Sequence, residues 1–592
     1  MRWFMSHHKR EYEVLREKTQ LSPVTCLLLA NRGVTASEAQ TALNPTFEDL
    51  SDPFAFREME VAVSYILDCL AAEIPIRIVG DYDQDGVAAT TILMKGLRYF
   101  AERLGADPLH AVSYAIPDRM EDGYGISPSL VERAMDERCG LIVTVDNGIA
   151  AFDALQYAAE VGMPVIVTDH HQPVVEDGAF RRPECEALIN PHVPGERVAF
   201  RDLCGAGVAF KLVDALARQM EDPFALREEL LGYAALGTIC DVMPLVGENR
   251  TIVTLGLDAL NRSTNPGLRA LLQAIHWEKD ITVYTAGFII GPCINASGRL
   301  MTARLGVELF LEDDPVTVAA YAEELVRLND ERKAMTLEGT ERAQAVIEKK
   351  PLTPVLVCYL PGLHESLCGL VAGRMRERYN RPSLVFTDAQ NGEGLIKGSG
   401  RSIPAYHMFQ KLNAHRDDYV AFGGHAMACG MTIRKVDLER LVATWNAESE
   451  LTTSDLEREI TVDGRLPLSA IDVALMRDLD ALEPYGNGFA APLFAAIAVH
   501  VRGFRVVGAA QNVLRVNLEQ NGARFVAVAF QAQELLVRLK GQHPKAPEWV
   551  EALLRGEDIP VSMDVLYKPQ WNTFRGQTQI ELKLSDMRFS RV

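Results

Sequence analysis

IPIRIVGDYDQDG (74–86) runs from a short apolar stretch directly into three carboxylates, Asp81, Asp83 and Asp85, at alternating positions. IPIRIVG (74–80) has the Ile/Val content and length of a buried strand, and VAATTILMKGLRYFAERLG (87–105) carries a helical pattern after it. The arrangement recurs. LIVTV (141–145) precedes NGIAAFDALQYAAEVG (147–162), and PVIVT (164–168) precedes an irregular stretch. Strands followed by crossover helices predict a parallel sheet with helices on both faces.

Outward from this core the character changes twice. Residues 301–350 are rich in Glu, Arg, Ala and Leu and read as a helical connector. PVLVCYL (354–360), PSLVFTD (382–388) and the Gly-rich run at 423–430 indicate a second α/β domain over 351–446. AESELTTSD (447–455) reads as a linker. FRVV (504–507), VLRVNLEQ (513–520), RFVAVAF (524–530) and TQIELKLSDM (578–587) are alternating strands, expected to form a small barrel or sandwich over 459–592. The expected division is 1–300 for the sheet domain with an N-terminal lead-in, 301–350, 351–446 and 459–592. A chain of 592 residues allows roughly three to four domains.

Composition narrows the function classes. With 48% hydrophobic and 24% charged residues the chain can bury a large core. The net charge of −20 excludes a general polycation for DNA or anionic membranes. Acids and bases balance in 459–592, so the whole excess lies earlier and the tail repels a polyanion least. The ten cysteines form no C-x-x-C pair, which speaks against a zinc ribbon or a disulfide framework and for a reducing compartment. No apolar run is long enough to span a bilayer, and MRWFMSHHKREYEVLREK (1–18) has no signal-peptide core. A cytoplasmic protein is expected.

The carboxylates carry the chemistry. In an extended segment Asp81, Asp83 and Asp85 would share one face and repel each other unless a cation offset them. A calcium loop of the EF-hand type fits poorly, because its twelfth position from Asp81 is Ile92 and a strand precedes it. Asp146 follows LIVTV; Asp169, His170 and His171 follow the next strand; Asp241 follows a helical stretch in TICDVMPL (238–245). Open parallel sheets bind ligands at such strand ends. Each Asp taken alone reads slightly better as a helix cap, but the four together do not, and carboxylates with imidazole and no thiolate suit Mn²⁺ or Mg²⁺. Two such ions would clamp a phosphoryl group. No Ser-His-Asp order, G-x-S-x-G elbow, Walker A loop or G-x-G-x-x-G competes. GAGVAF (205–210) reads as tight packing or a helix start.

GDYDQDG (80–86), VDNGI (145–149), TDHHQP (168–173) and ICDVMPL (239–245), in this order, resemble the successive motifs of the DHH phosphoesterase superfamily. Within it the chain is similar to the RecJ family of single-strand-specific 5′→3′ DNA exonucleases. GVTASEAQTALNPTFEDLSDPF (33–54), GPCINASGRL (291–300), HESLCGLVAGRM (364–375), SGRS (399–402), GGHAMACG (423–430) and PYGNGFAAPLF (484–494) extend the likeness over nearly the whole chain. The resemblance implies a parallel-sheet DHH domain, a DHH-associated domain and a C-terminal OB-fold barrel. It implies two metal ions, Mn²⁺ or Mg²⁺, held by Asp83, Asp85, Asp146, His170 and Asp241, with Asp146 bridging. Asp81 and Asp169 would support them; Asp81 would replace a histidine that many members carry at the place of Val79. His171 would meet the scissile phosphate or protonate the leaving oxygen.

Substrate contacts implied in the second domain are His364, Arg374, Ser399, Arg401, Gly423, Gly424 and His425, with Asn295 and Arg299 of INASGR beside the cleft. In the barrel, Trp571, Phe574 and Arg575 are candidates for base stacking and phosphate contact. The implied activity is 5′-end hydrolysis of single-stranded DNA to 5′-mononucleotides in repair and recombination. Single-strand-binding protein and a RecQ-type helicase are the implied partners. A phosphodiesterase for short oligonucleotides or cyclic dinucleotides and a non-catalytic replication scaffold are the alternatives. The tail after 459 disfavours the first, and the intact acidic motifs disfavour the second.

Overall fold

Ile76–Val79, Leu141–Val145, Val165–Thr168 and Ala187–Ile189 are each buried along their whole length. That is the signature of parallel strands covered on both faces. In the computed structural model, which describes residues 2–117, 125–176, 178–390 and 392–590, these strands and Val112–Ala115 form one five-stranded sheet. The order across it is 112–115, 76–79, 141–145, 165–168, 187–189, every pair parallel. The chain starts in the second position, goes to one edge and then returns to the other side. A switch point therefore lies between Ile76–Val79 and Leu141–Val145, where an α/β sheet opens a crevice at its carboxyl ends.

The helix Gln84–Arg103 begins where Asp83 caps it: the carboxylate accepts the Gly86 N–H at 3.1 Å. Helices Gly205–Gln219 and Arg227–Cys240 pack against it. A 33-residue helix, Pro315–Ile347, leads to the second sheet; Asp314 caps it and Pro315 stands in its first turn. That sheet runs 421–425, 428–434, 395–401, 383–388, 356–359, parallel only between the last two strands. Both sheets belong to one compact unit, Leu50–Met243 with Ile252–Arg458.

The other unit joins Met1–Asp49, Pro244–Thr251 and Glu459–Val592. Strands Phe494–Val507, Val513–Gln520, Ala523–Phe530, Met563–Phe574 and Gln577–Phe589 close into a barrel, sealed by pairings of 494–499 with 563–567 and 527–528 with 582–583. Helices Ala532–Lys540 and Ala546–Arg555, not anticipated from the strand-rich pattern, lie between the third and fourth of these strands. The lead-in is a correction to the expected division, because it belongs with the barrel and not with the sheet that follows it in sequence. Arg2–Met5 pairs in parallel with Glu459–Val462, and the half-buried Asp463 carboxylate takes Arg32 at 2.9 Å and the Asn31 amide at 3.1 Å. Arg250, carried on 244–251, donates to the carbonyls of Ala42, Leu482 and Pro484. Such bonds outrank proximity in sequence. Among the described residues no helix is long and apolar enough to cross a membrane, and all ten cysteines are free thiols.

Candidate metal and phosphate site

Asp81 follows the strand end, Asp83 is the cap of the next helix and Asp85 lies in its first turn. The three carboxylates therefore do not share one face of an extended segment, as their alternation suggests. Capping by Asp83 starts the helix at Gln84, and the turn redirects Asp85. Asp81 and Asp83 gather with Asp146, and Asp85 gathers with His170 and Asp241, each set with ligand atoms within 4.8 Å of one another. His170 connects the sets, its Nε2 3.1 Å from Asp146 and 3.8 Å from both Asp85 and Asp241. Asp146 stands at φ +63°, a left-handed conformation uncommon outside Gly, Asn and Asp. Asn147 holds that loop: its amide donates to the carbonyls of Val79 and Val145, and its oxygen accepts from Ile126 N–H.

Asp85 is held from outside the cluster. Its two oxygens accept the backbone N–H groups of Gly205 at 2.7 Å and Ala206 at 2.9 Å. GAGVAF is thus a helix start, and its first amides aim at a carboxylate. A Cβ at Gly205 would collide with Asp146, and one at Gly237 with Asp85 and Ala206. Gly205, Gly237 and Asn147 are supporting residues that motif reading passed over. Their signal, small residues at helix contacts, acquires meaning only with the partner in view.

Electrostatics fits a cation. Burial, then the neighbouring Asp85 and Asp83, push the Asp241 carboxyl up to about 8. Burial and the same neighbours raise Asp146 well above the ordinary range, and burial with Asp85 raises Asp83. Carboxylates crowded in a dry site can all ionise only if positive charge joins them. Burial also lowers His170, leaving a neutral imidazole able to donate a lone pair. His171 differs. Burial opposes its charge, yet the Asp169 carboxylate, 2.7 Å from Nδ1, lifts it to about 9. Asp169 stays ionised despite burial, through His171 and the N–H groups of His171 and Ile149. It is an anchor for the histidine pair rather than part of any of the three-residue sets, the third of which joins His171 to Asp146 and His170.

In the second sheet the register puts Ser399, Gly430 and Gly423 in one row and Arg401, Ala428 and His425 in another. Nothing would meet a Cβ at Gly423 or Gly430, so small residues leave an open trough. Arg401 donates to Ser399 Oγ at 3.0 Å, and a Cβ at Gly369 would strike both side chains. Gly424, at φ +148°, lets its strand approach Ala428 and Cys429. Asn295 accepts the Gln84 N–H at 2.8 Å, tying the helix Gly291–Leu300 to the acidic helix. Arg299 donates to the Ser366 carbonyl at 2.9 Å, and Ser366 Oγ lies 2.8 Å from His364 Nδ1. These three residues thus join the two sheets' domains. Arg374 is exposed, with its guanidinium 3.7 Å from Glu377 on the same helix. Trp571, Phe574 and Arg575 sit at the tip of the hairpin 563–589 in the other unit. Trp571 Nε1 donates to Asp480 at 3.0 Å, and the Arg575 guanidinium lies over the Phe574 ring.

Three family models match the chain: the DHH family, N-terminal domain, over 75–238; the DHHA1 domain over 352–450; and the RecJ OB domain over 462–586. The single-stranded-DNA-specific exonuclease RecJ of Salmonella typhimurium is 31% identical over 597 residues, covering 96% of this chain and 96% of that protein. The protein of the same name from Bacillus subtilis is 33% identical over 541 residues, covering 90% of this chain and 66% of that protein. The crystal structure of RecJ in complex with Mn²⁺ from Thermus thermophilus superimposes with a TM-score of 0.79 at 26% identity, over 100% of this chain and 80% of that one.

Proposed function

The chain belongs to the RecJ family of single-stranded-DNA-specific exonucleases, and from that premise we propose how its residues divide the work. It is a metal-dependent nuclease of single-stranded DNA. The finer reading is hydrolysis from the 5′ end to 5′-mononucleotides, in DNA repair and recombination. The observation that carries the metal-dependent nuclease reading is the convergence of Asp81, Asp83, Asp85, Asp146, His170 and Asp241, from stretches far apart in sequence, at the carboxyl end of one sheet; the 5′ polarity and the repair role rest on family likeness.

Asp81, Asp83 and Asp146 would hold one divalent ion, and Asp85, His170 and Asp241 the other, with Asp146 placed to serve both. Mn²⁺ or Mg²⁺ there supplies Lewis acidity, acidifying water and offsetting charge on the phosphate in flight. Asp85, fixed by Gly205 and Ala206, keeps its geometry without reorganisation. His171, whose charged form the Asp169 carboxylate favours, is placed as a contact for the scissile phosphate and a proton source for the leaving oxygen. Ser399, Arg401, Gly423 and His425 line a trough suited to a terminal phosphate and sugar, Arg401 matching the oxyanion. The barrel adds affinity for the strand by stacking and charge. The cytoplasmic setting rests on free thiols, and the single-strand-binding protein and RecQ-type helicase partners rest on family likeness.

The test uses 5′- and 3′-labelled single strands with Mn²⁺. The 5′ label is expected in mononucleotides from the first time points, while 3′-labelled strands shorten progressively and blunt duplex survives. Asp83→Ala is expected to abolish the reaction with its circular dichroism spectrum retained. Full activity in that variant would remove the site.

A further inference from the structure

Tyr284 and Phe288 are exposed aromatics, at 61% and 71%, and their rings stack on each other with centroids 5.3 Å apart and planes 21° apart. Among the described residues this is the only stacked ring pair in which both rings are exposed. Large rings left in water cost hydrophobic free energy, and a broad pair near a binding site marks a surface awaiting cover. The segment bearing them is also irregular. Ala286–Ile290 is a stretch of π-helix, a form found disproportionately at functional sites.

Its position decides the occupant. Ala286 and Ile290 are buried, and Gly287 lies against Ile239. Cys240 Sγ donates to the Ala286 carbonyl at 3.5 Å, and a Cβ at Gly291 would strike the same sulfur. Cys240 immediately precedes Asp241. The segment then runs without a break into Gly291–Leu300, the helix carrying Asn295 and Arg299. The rings are therefore carried on a segment packed against the residues that lead into a carboxylate of the metal site. A single strand with its phosphate at that site has its neighbouring bases within reach of this segment, and every base has a face that stacks on an aromatic ring.

We propose that Tyr284 and Phe288 form a stacking ledge for a nucleobase next to the bond being cut, holding the single strand in register with the acidic site. The inference rests on the single-strand exonuclease reading. A stacked base needs no hydrogen-bond code, so the ledge is indifferent to sequence. A duplex, whose bases are already stacked, cannot offer one, so the ledge favours single strands. Tyr284 and Phe288 are positioning residues: they touch substrate away from the reacting atoms.

The experiment uses the full chain with Mn²⁺ and short single strands in which one abasic nucleotide is moved along the sequence. The double variant Tyr284→Ala/Phe288→Ala is expected to raise KM about tenfold with kcat within about twofold. Tyr284→Phe with Phe288→Trp is expected to restore the parent KM. In the parent, one abasic position should raise KM, and that same position should add nothing in the double alanine variant. Unchanged KM, a loss confined to kcat, or abasic penalties that add in full at every position would overturn the ledge. Anisotropy of a fluorescent single strand with metal chelated separates the two readings. If the parent cuts no single-stranded DNA, the exonuclease reading falls, yet the ledge still predicts about tenfold weaker binding in the double variant; equal binding overturns it.

Discussion

Asp83 does two jobs, and they can be separated. It caps the helix Gln84–Arg103 and contributes an anionic oxygen to the cluster. Asparagine keeps the capping oxygen but not the charge. Asp83→Asn is therefore expected to abolish cleavage while melting close to the parent, whereas Asp83→Ala also loses a cap worth about 1 kcal/mol. Thermal melts and turnover on one preparation check this. The raised carboxyls make a second prediction. A carboxyl whose folded pKa exceeds its unfolded value binds more protons when folded, so its contribution is present at low pH and lost as pH rises through the folded value. For Asp241 that window ends at about 8, and Asp83 and Asp146 act in the same direction. Metal-free protein should thus lose stability as pH climbs from the ordinary carboxyl range to about 8, and Mn²⁺ should largely remove the loss. A pH-independent melt without metal would contradict this. His171 has the sign of a paired base: its charge is present below about 9 and lost above it. In Asp169→Asn the high-pH limb of activity is expected to move to lower pH, read from a kcat profile.

At the scale of elements, the site depends on how closely three helices approach. Gly237 on Arg227–Cys240 lets the helix Gly205–Gln219 and the side chain of Asp85 lie against it. Gly237→Ala would gain helix propensity worth roughly 1 kcal/mol but insert a methyl where Asp85 and Ala206 stand. Overpacking of this kind costs typically about 1–3 kcal/mol, and here the most movable neighbour is Asp85, a carboxylate of the proposed metal site. Activity and Mn²⁺ affinity are expected to fall by at least about tenfold, with a smaller change in melting temperature. Calorimetric titration of Mn²⁺ checks the order of these effects. None of this could be had from periodicity: Gly237 lies in an ordinary helical pattern, and its reason is a neighbour far away in sequence.

For the whole molecule, the chain's ends share a unit. Asp463 receives Arg32, Asn31 and the Leu493 N–H, and the Arg32 and Asp463 side chains are only 5% and 14% exposed. Removing one partner of a buried pair costs roughly 3–5 kcal/mol. Asp463→Ala is therefore expected to lower the melting of the barrel unit by several degrees while Mn²⁺ binding by the unit that carries the two sheets stays intact. Differential scanning calorimetry with and without Mn²⁺ reads both.

The strands Ile76–Val79, Leu141–Val145 and Val165–Thr168, the helices between them and the metal-type chemistry of GDYDQDG, VDNG, DHH and ICD were legible along the chain, because strand burial, helical period and side-chain donor type are local properties. The barrel was legible for the same reason. Three things were not. Asp83 turned the acidic run into a helix start. The lead-in found its strand partner beyond residue 458. The amides of Gly205 and Ala206 and the small residue at 237 took their roles from neighbours supplied by distant segments, and the rings of Tyr284 and Phe288 were left exposed. Each depends on strand order and on which surfaces remain uncovered after packing, and those are decided by the free energy of the assembled chain rather than by any one stretch of it.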